Sequence, residues 1–270
     1  MDIKMIMDLW KPNTRNAKAG VEWWNGNAEK YSARELPTAE SSMGMRLIKQ
    51  EGMIGESCKV LDVGCGGGRF SFALDAAGAD VTGTDFSPRM IEEAQKQQEK
   101  IGSKVHFSVD NWHTISLEEK DWKGKFDLVL AHMTPAVVSA ETFLKLSEAS
   151  RNWVLMVKPT RRTNSVLDEL NKLVGADRDT KSLDEAVAYA FDLLWLKGYC
   201  PKIEYENQVW KSDMPLEKAV EEYTLRISST HELSEKDKSA IRLHLESIAE
   251  DGIVHETTHT TIVAMYWQVK

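Results

Sequence analysis

The stretch Val60-Leu-Asp-Val-Gly-Cys-Gly-Gly-Gly-Arg-Phe70, followed by Val81-Thr-Gly-Thr-Asp85, constrains the fold of this 270-residue chain more than any other feature. An apolar run leads into a glycine turn and the start of a helix, and a second apolar run ends on an acid. Glycine lets backbone come close to a ligand, and a helix N-terminus offers N–H groups that have no intrahelical partner. Asp85 follows Gly64 by about twenty residues, the spacing of a carboxylate that grips ribose hydroxyls. The pattern is that of a nucleoside-binding βαβ unit. A dinucleotide-binding turn needs its third glycine three places after the second, to pack helix on strand. Arg69 stands at that place. The glycines fall at Gly64, Gly66, Gly67 and Gly68 instead, with Asp62 just before them.

Further apolar runs extend the pattern. Residues 58–63, 79–85, 105–110, 126–131 and 153–157 read as strands, the last stopped by Pro159. Their apolar residues are continuous rather than alternating, the mark of a parallel sheet covered on both faces. Arg69 to Ala77 reads as a helix, and Ser87-Pro88 opens another, with Ser at the N-cap and Pro at the first helical position. Pro135 to Ala149 reads as a third. Residues 1–57 read as helical and aromatic-rich, with Trp10, Trp23, Trp24 and Tyr31. In the C-terminal third, 167–197 reads as two helices, Lys202 to Trp210 as a strand, 215–250 as two charged amphipathic helices, and Thr257 to Val269 as a last strand.

Hydrophobic residues make up 42% of the chain and charged ones 28%, which suits a globular domain with a real core. The net charge of -8 repels phosphate backbones, so nucleic acid is disfavoured as a partner. Lys158, Arg161 and Arg162 form the one tight basic cluster, with a solvated loop as its plain reading. No apolar run reaches the eighteen or so residues that span a membrane. The first ten residues lack the apolar segment of a secretory signal, and three scattered cysteines suggest reduced thiols. A cytoplasmic protein is expected.

The acid followed by Gly-x-Gly-x-Gly resembles the first motif of the class I S-adenosylmethionine-dependent methyltransferases, and the likeness runs from about residue 58 to 158. It implies an α/β fold: a doubly wound, mostly parallel seven-stranded sheet with an antiparallel C-terminal hairpin. N-terminal helices (1–57) and a helical insertion (about 215–250) would cap a cofactor-binding core (58–160), and 161–270 would complete the same domain. It also implies S-adenosylmethionine as cofactor, S-adenosylhomocysteine as product, and a small-molecule acceptor, with the enzyme a monomer or homodimer.

By the same resemblance, Asp62, Gly64, Cys65, Gly66 and Gly68 hold the methionine part, Cys65 through its backbone. Asp85 takes the ribose hydroxyls, and Phe86 packs on adenine unless it is a core aromatic. Ser108-Val-Asp-Asn-Trp112 resembles the third motif: Asp110 would accept from the adenine amino group, with Asn111 and Trp112 beside the ring, unless Asp110 merely caps a turn. Phe126-Asp-Leu-Val-Leu-Ala-His-Met-Thr-Pro-Ala136 resembles the fourth, bringing His132, Met133 and Thr134 near the transferring methyl. It departs from the Asn-Pro-Pro-Tyr type, which argues against a base or amide nitrogen as acceptor. His132 is the candidate general base, its ordinary pKa lying near neutrality; the alternative is that it bonds the loop. Trp23-Trp-Asn-Gly-Asn-Ala-Glu-Lys-Tyr31 resembles an N-terminal segment that folds over the cofactor. There Tyr31 would face the sulfonium, a cation suited to aromatic faces, unless it only packs on the domain.

His255-Glu-Thr-Thr-His259 fits a zinc-protease pattern, but its surroundings favour strand over the helix which that pattern needs, and no third ligand follows. No metal is expected. Three rivals stand beside the main reading: an RNA methyltransferase, a non-catalytic S-adenosylmethionine-binding protein, and a nucleotide-dependent oxidoreductase.

Overall fold

The computed structural model describes residues 2–12, 17–176 and 181–269. Seven strands form one sheet in the order β3-β2-β1-β4-β5-β7-β6. They are β1 Lys59–Val63, β2 Asp80–Asp85, β3 His106–Val109, β4 Phe126–His132, β5 Ser150–Asn164, β6 Lys202–Pro215 and β7 Ile253–Gln268. The first five are parallel, and β7 lies antiparallel to both β5 and β6. This is the expected doubly wound sheet with its C-terminal hairpin.

Two apolar cores sandwich the sheet. Helices α4 (Met43–Gln50), α5 (Arg69–Ala76) and α6 (Pro88–Ile101) cover one face, through Leu47, Phe72 and Ile91. On the other lie α1 (Ile3–Leu9), α7 (Ala140–Ala149) and α9 (Lys181–Leu196), through Ile6, Phe143 and Leu193. Trp10, just past α1, packs on Phe143 and Tyr189 at ring separations of 5.3 and 6.3 Å. The first part of the N-terminal segment therefore joins the layer formed by α7 and α9. Helices α2 (Ala17–Gly26) and α3 (Ala28–Ser32) pack instead on α6. A third core holds α8 (Leu167–Leu173), α10 (Leu216–Ser228) and α11 (Glu235–Ile248) against Met214 and Val254 of the hairpin. The two helices inserted between β6 and β7 are thus real, and α10 reaches α2.

The bounds of β5, β6, β7 and α7 differ most from the sequence expectation. Strand β5 runs straight through Pro159, which pairs with Ile262, and ends at Asn164. Its partner β4 stops at the pairing of His132 with Val157, so no strand on that side needs the missing N–H. Lys158, Arg161 and Arg162 are accordingly strand residues rather than a loop, and Lys158 is only 8% exposed. Between Thr160 and Thr163 the register slips by a bulge, where Arg161 takes φ 45°. Strands β6 and β7 also run several residues beyond the expected ends.

Helix α7 starts at Ala140 rather than near Pro135, because Ser139 and Thr142 form a capping box: Ser139 Oγ accepts the Thr142 N–H, and Thr142 Oγ1 accepts the Ser139 N–H. Ser139→Ala is expected to cost about 1 kcal/mol, a fall of a few degrees in Tm by thermal unfolding.

His255 and His259 lie on β7, where residues four apart are separated by roughly 13 Å. His255 Nδ1 pairs instead with Asp213 at 2.8 Å.

Candidate functional site

Register brings the motif residues to one edge. Val63 pairs with Thr84, Asp85 with Val109, and His132 with Val157, so the glycine turn, Asp85, Asp110 and His132 all emerge at the carboxyl ends of parallel strands. That crevice is where ligands bind in open α/β sheets.

The glycine turn is tied to β2. Both the Gly64 and Cys65 N–H groups donate to the Thr84 carbonyl, at 2.7 and 3.0 Å. The Gly66 N–H donates to Asp85 Oδ2 at 3.0 Å, and the Ser87 N–H donates to Asp85 Oδ1 at 2.8 Å. Each carboxylate oxygen keeps a lone pair for a further donor. Asp85 is 8% exposed; burial raises its pKa, and the backbone donors of Ser87, Gly66 and Phe86 oppose that rise. Phe86 beside it is half-buried.

The turn requires glycine for steric reasons at two places. Gly64 has φ 70°, and a Cβ there would lie 1.8 Å from Thr134 Oγ1. A Cβ on Gly67 would lie 2.1 Å from Ser32 Oγ and 2.9 Å from Ser32 Cα. The end of α3 therefore rests directly on the turn. Arg69 adds a second tie, its Nε donating to the Glu35 carbonyl at 2.7 Å, and Ser87 Oγ bonds Asn25 Oδ1 at 2.6 Å. Sequence reading missed Ser32, because nothing local marks a serine that meets a glycine thirty-five residues on.

Asp62 is 2% exposed and accepts from Ser71 Oγ at 2.6 Å. Burial pushes its pKa up to about 7, against the pull of the Ser71 bond and with a push from Asp85. Burial also drives the Cys65 thiol well above its ordinary pKa, with Asp62 and Asp85 adding to the rise, so Cys65 is not a thiolate nucleophile.

The third-motif residues divide. Asp110 is linked to the site by its N–H, which donates to the Asp85 carbonyl at 3.0 Å. Its carboxylate, however, meets Lys120 Nζ and Ser108 Oγ, each at 2.7 Å. Asn111 is exposed and its side chain accepts the His113 N–H, closing a turn. Trp112 is 2% exposed, sits in the core under α7, and its Nε1–H donates to the Thr142 carbonyl at 2.9 Å.

At the end of β4, His132 stacks on Phe70 at 3.8 Å between ring centroids, close to Gly44 of α4. Burial lowers its pKa to about 3, and Arg69 adds to the fall. A group so lowered is neutral near pH 7 and a weaker base than a free histidine. Met133 has φ 52° and donates its N–H to the Val157 carbonyl at 2.8 Å. Such a conformation in a residue other than glycine is held by its surroundings and is common at functional sites.

Tyr31 joins Trp23 and Trp24 in an aromatic cluster, at ring separations of 6.5 and 5.5 Å, and Arg34 lies 4.3 Å over its face. A separate cavity of about 1170 Å³ lies between α2 and the pair α10 and α11, lined by Glu22, Thr224, His231, Lys238 and Arg242 among others. No residue of the glycine turn lines it, so it is no part of the crevice just described.

With that geometry in view, the family is plain. Residues 54–197 match the methyltransferase domain family, and the chain belongs to it. It is 32% identical over 196 residues to the ubiquinone biosynthesis O-methyltransferase of Bradyrhizobium diazoefficiens, covering 62% of this chain and 75% of that protein. Its likeness to the enzyme of the same name from Aromatoleum aromaticum is 33% over 109 residues, 40% of this chain and 42% of that one. In that match the chain spans less than half the relative's length. The fold is similar to that of the YcgJ protein from Bacillus subtilis, with a TM-score of 0.50 at 15% identity over 83% of this chain and 97% of that one.

Proposed function

We propose that this protein binds S-adenosylmethionine at the glycine turn and transfers its methyl group to a small-molecule acceptor, with a hydroxyl oxygen as the favoured target. The observation that carries the reading is the Gly66–Asp85 link at the mouth of the crevice, with a buried carboxylate that keeps acceptor capacity. Two buried hydroxyls beside it, Ser32 Oγ and Thr84 Oγ1, have no hydrogen-bond partner among the described residues. Buried polar atoms normally find partners, so a polar ligand suits the place. The hydroxyl target follows the O-methyltransferase relatives. Free Cys58, Cys65 and Cys200 suit a cytoplasmic enzyme, acting as monomer or homodimer.

In this reading Asp85 holds the ribose hydroxyls, and the backbone of Gly64, Cys65, Gly66 and Gly68 allows close approach of the methionine part. Asp62 fixes the turn through Ser71. Phe86 offers an aromatic face to the adenine. Asp110 accepts from the adenine amino group once Lys120 lets go. Asn111 shapes the loop there. Helices α2 and α3 cover the site, Ser32 against the turn and Tyr31 in the aromatic cluster; α10 and α11 extend that cover. The bound sulfonium is already electrophilic, so chemistry needs alignment and exclusion of water more than activation. His132 and Met133 shape the floor where the methyl points.

Calorimetry with S-adenosylmethionine, S-adenosylhomocysteine and NAD tests the cofactor, and labelled-methyl transfer to a metabolite library tests the reaction. Tight NAD binding without S-adenosylhomocysteine binding would sink the reading.

His132 carries its own expectation. Its folded pKa lies below the ordinary value, so the unfolded chain takes up the proton first as pH falls. Wild-type stability should therefore drop between about pH 6.5 and pH 3, the interval between the two values. His132→Gln should flatten that acid-side loss and leave the neutral range of any turnover profile unchanged. A neutral-pH limb that disappears in the variant would restore the general base.

A further inference from the structure

Lys158 lies midway along β5, directly after Val157, whose carbonyl takes the Met133 N–H and which pairs with His132 at the end of β4. It is 8% exposed. Its Nζ donates to the Val137 carbonyl at 3.2 Å and lies 6.0 Å from the centre of the Trp10 ring. No carboxylate pairs with it among the described residues. An ammonium has three donors, and one carbonyl satisfies one of them. A buried cation with no counter-ion costs several kcal/mol in a folded protein, so chains keep one where something else offsets the cost.

The charged groups around it are engaged elsewhere or face away. Asp184 of α9 accepts from Thr160 Oγ1 and from the Arg161 N–H. Asp8 of α1 pairs with Lys11, and Glu141 of α7 acts on Lys145. His132 packs on the opposite face of the sheet, on Phe70, and Arg162 lies over Trp210. Burial alone lowers the Lys158 pKa, to about 8, so the amine is still mostly charged at pH 7.

Resting on the methyl-transfer reading above, we propose that Lys158 is the anion-recognition residue of the acceptor site, and that the acceptor is a small molecule bearing an ionised oxygen, a carboxylate or an acidic ring hydroxyl. The acceptor's anionic oxygen takes the place of the missing counter-ion. Residues 133–139, which follow β4 and carry Met133 and Val137, form neither helix nor strand, and Lys158 is tied to them through the Val137 carbonyl. The overall charge of -8 makes a local cation necessary for any anionic acceptor.

Two readouts test this, and the first needs no acceptor. If Lys158 serves a ligand, Lys158→Met removes an uncompensated buried charge, and Tm at pH 7 should rise by about 3 °C or more. The folded pKa lies below the unfolded one, so wild-type stability rises as pH passes from about 8 toward about 10.5, the ordinary lysine value, and the advantage of the variant should shrink over that interval. An equal or lower Tm in Lys158→Met at pH 7 makes the lysine a structural tie to Val137 and overturns the proposal.

The second readout is calorimetry on protein loaded with S-adenosylhomocysteine, titrated with 3,4-dihydroxybenzoate and with its uncharged amide. Wild type should prefer the carboxylate at least tenfold at pH 7; the preference should vanish in Lys158→Met and, in wild type, by pH 9.5. No preference in wild type, or one that persists in the variant, overturns it. Loss of S-adenosylhomocysteine binding itself, with the Tm result intact, would count against the cofactor and not against the lysine.

Discussion

Asp85→Ala is expected to weaken binding of S-adenosylmethionine and S-adenosylhomocysteine by roughly a hundredfold or more, with calorimetry as the measurement. The carboxylate has acceptor capacity left for two hydroxyls, and hydrogen bonds to a charged group are each worth about 1.5–3 kcal/mol. Losing the pair costs about 3 kcal/mol or more, which is that change in affinity. The alanine also strands the Gly66 and Ser87 N–H groups that hold the turn in shape. Asp85→Asn separates the two effects. Its carbonyl keeps one backbone donor and one ligand acceptor, so its affinity should fall between wild type and alanine. Equal affinity in all three proteins would remove Asp85 from the cofactor site.

The place of Asp85 beside the glycine turn was legible because it is set locally. A strand, a turn, a helix and a second strand lie within thirty residues, and the spacing alone puts the acid beside the glycines. The same holds for Ser87 and Pro88, whose capping geometry depends on their immediate neighbours: Ser87 Oγ accepts the Met90 N–H at 3.1 Å. The parallel sheet was legible too, since continuous apolar strands need cover on both faces.

What was not legible depends on partners far away in the chain. Pro159 ends a strand by local rules, yet β7, a hundred residues later, supplies the ladder that carries β5 past it. Trp112 sits in a motif that implies ligand contact, but α7 closes over it and satisfies its indole N–H. Asp110 has the expected position and an unexpected partner in Lys120. Lys158 belonged to a basic cluster that read as solvated, and only the layer built by Trp10 and the 133–139 segment buries it. At Trp112 and Asp110 the local pattern was silent about the partner of the side chain, and at Pro159 and Lys158 it also missed the strand. His132 shows the chemical consequence: its place at the strand end was readable, while the burial that lowers its pKa was not.

Gly64→Ala and Gly67→Ala should separate the floor of the site from its cover. At Gly64 the φ of 70° disfavours any side chain, and the new methyl would fall 1.8 Å from Thr134 Oγ1. The left-handed backbone alone costs about 1–2 kcal/mol, and overpacking typically adds 1–3 kcal/mol more. Gly64→Ala should therefore lose about 3 kcal/mol of stability and, because Thr134 and the turn must part, most of its cofactor affinity. Gly67 has no such backbone constraint. A methyl there collides with Ser32, including its Cα at 2.9 Å, so the end of α3 must lift. The core beneath is untouched, and stability should fall by only about 1 kcal/mol, the usual scale for a change outside the core. Cofactor affinity should still fall by tenfold or more if α3 covers the ligand. Thermal unfolding and calorimetry on both variants read the two effects side by side. A Gly67→Ala protein that binds S-adenosylhomocysteine as tightly as wild type would show that α3 rests on the turn without closing the site. A Gly64→Ala protein of wild-type stability would mean that Thr134 moves freely, and that the floor at the end of β4 is not fixed by this contact.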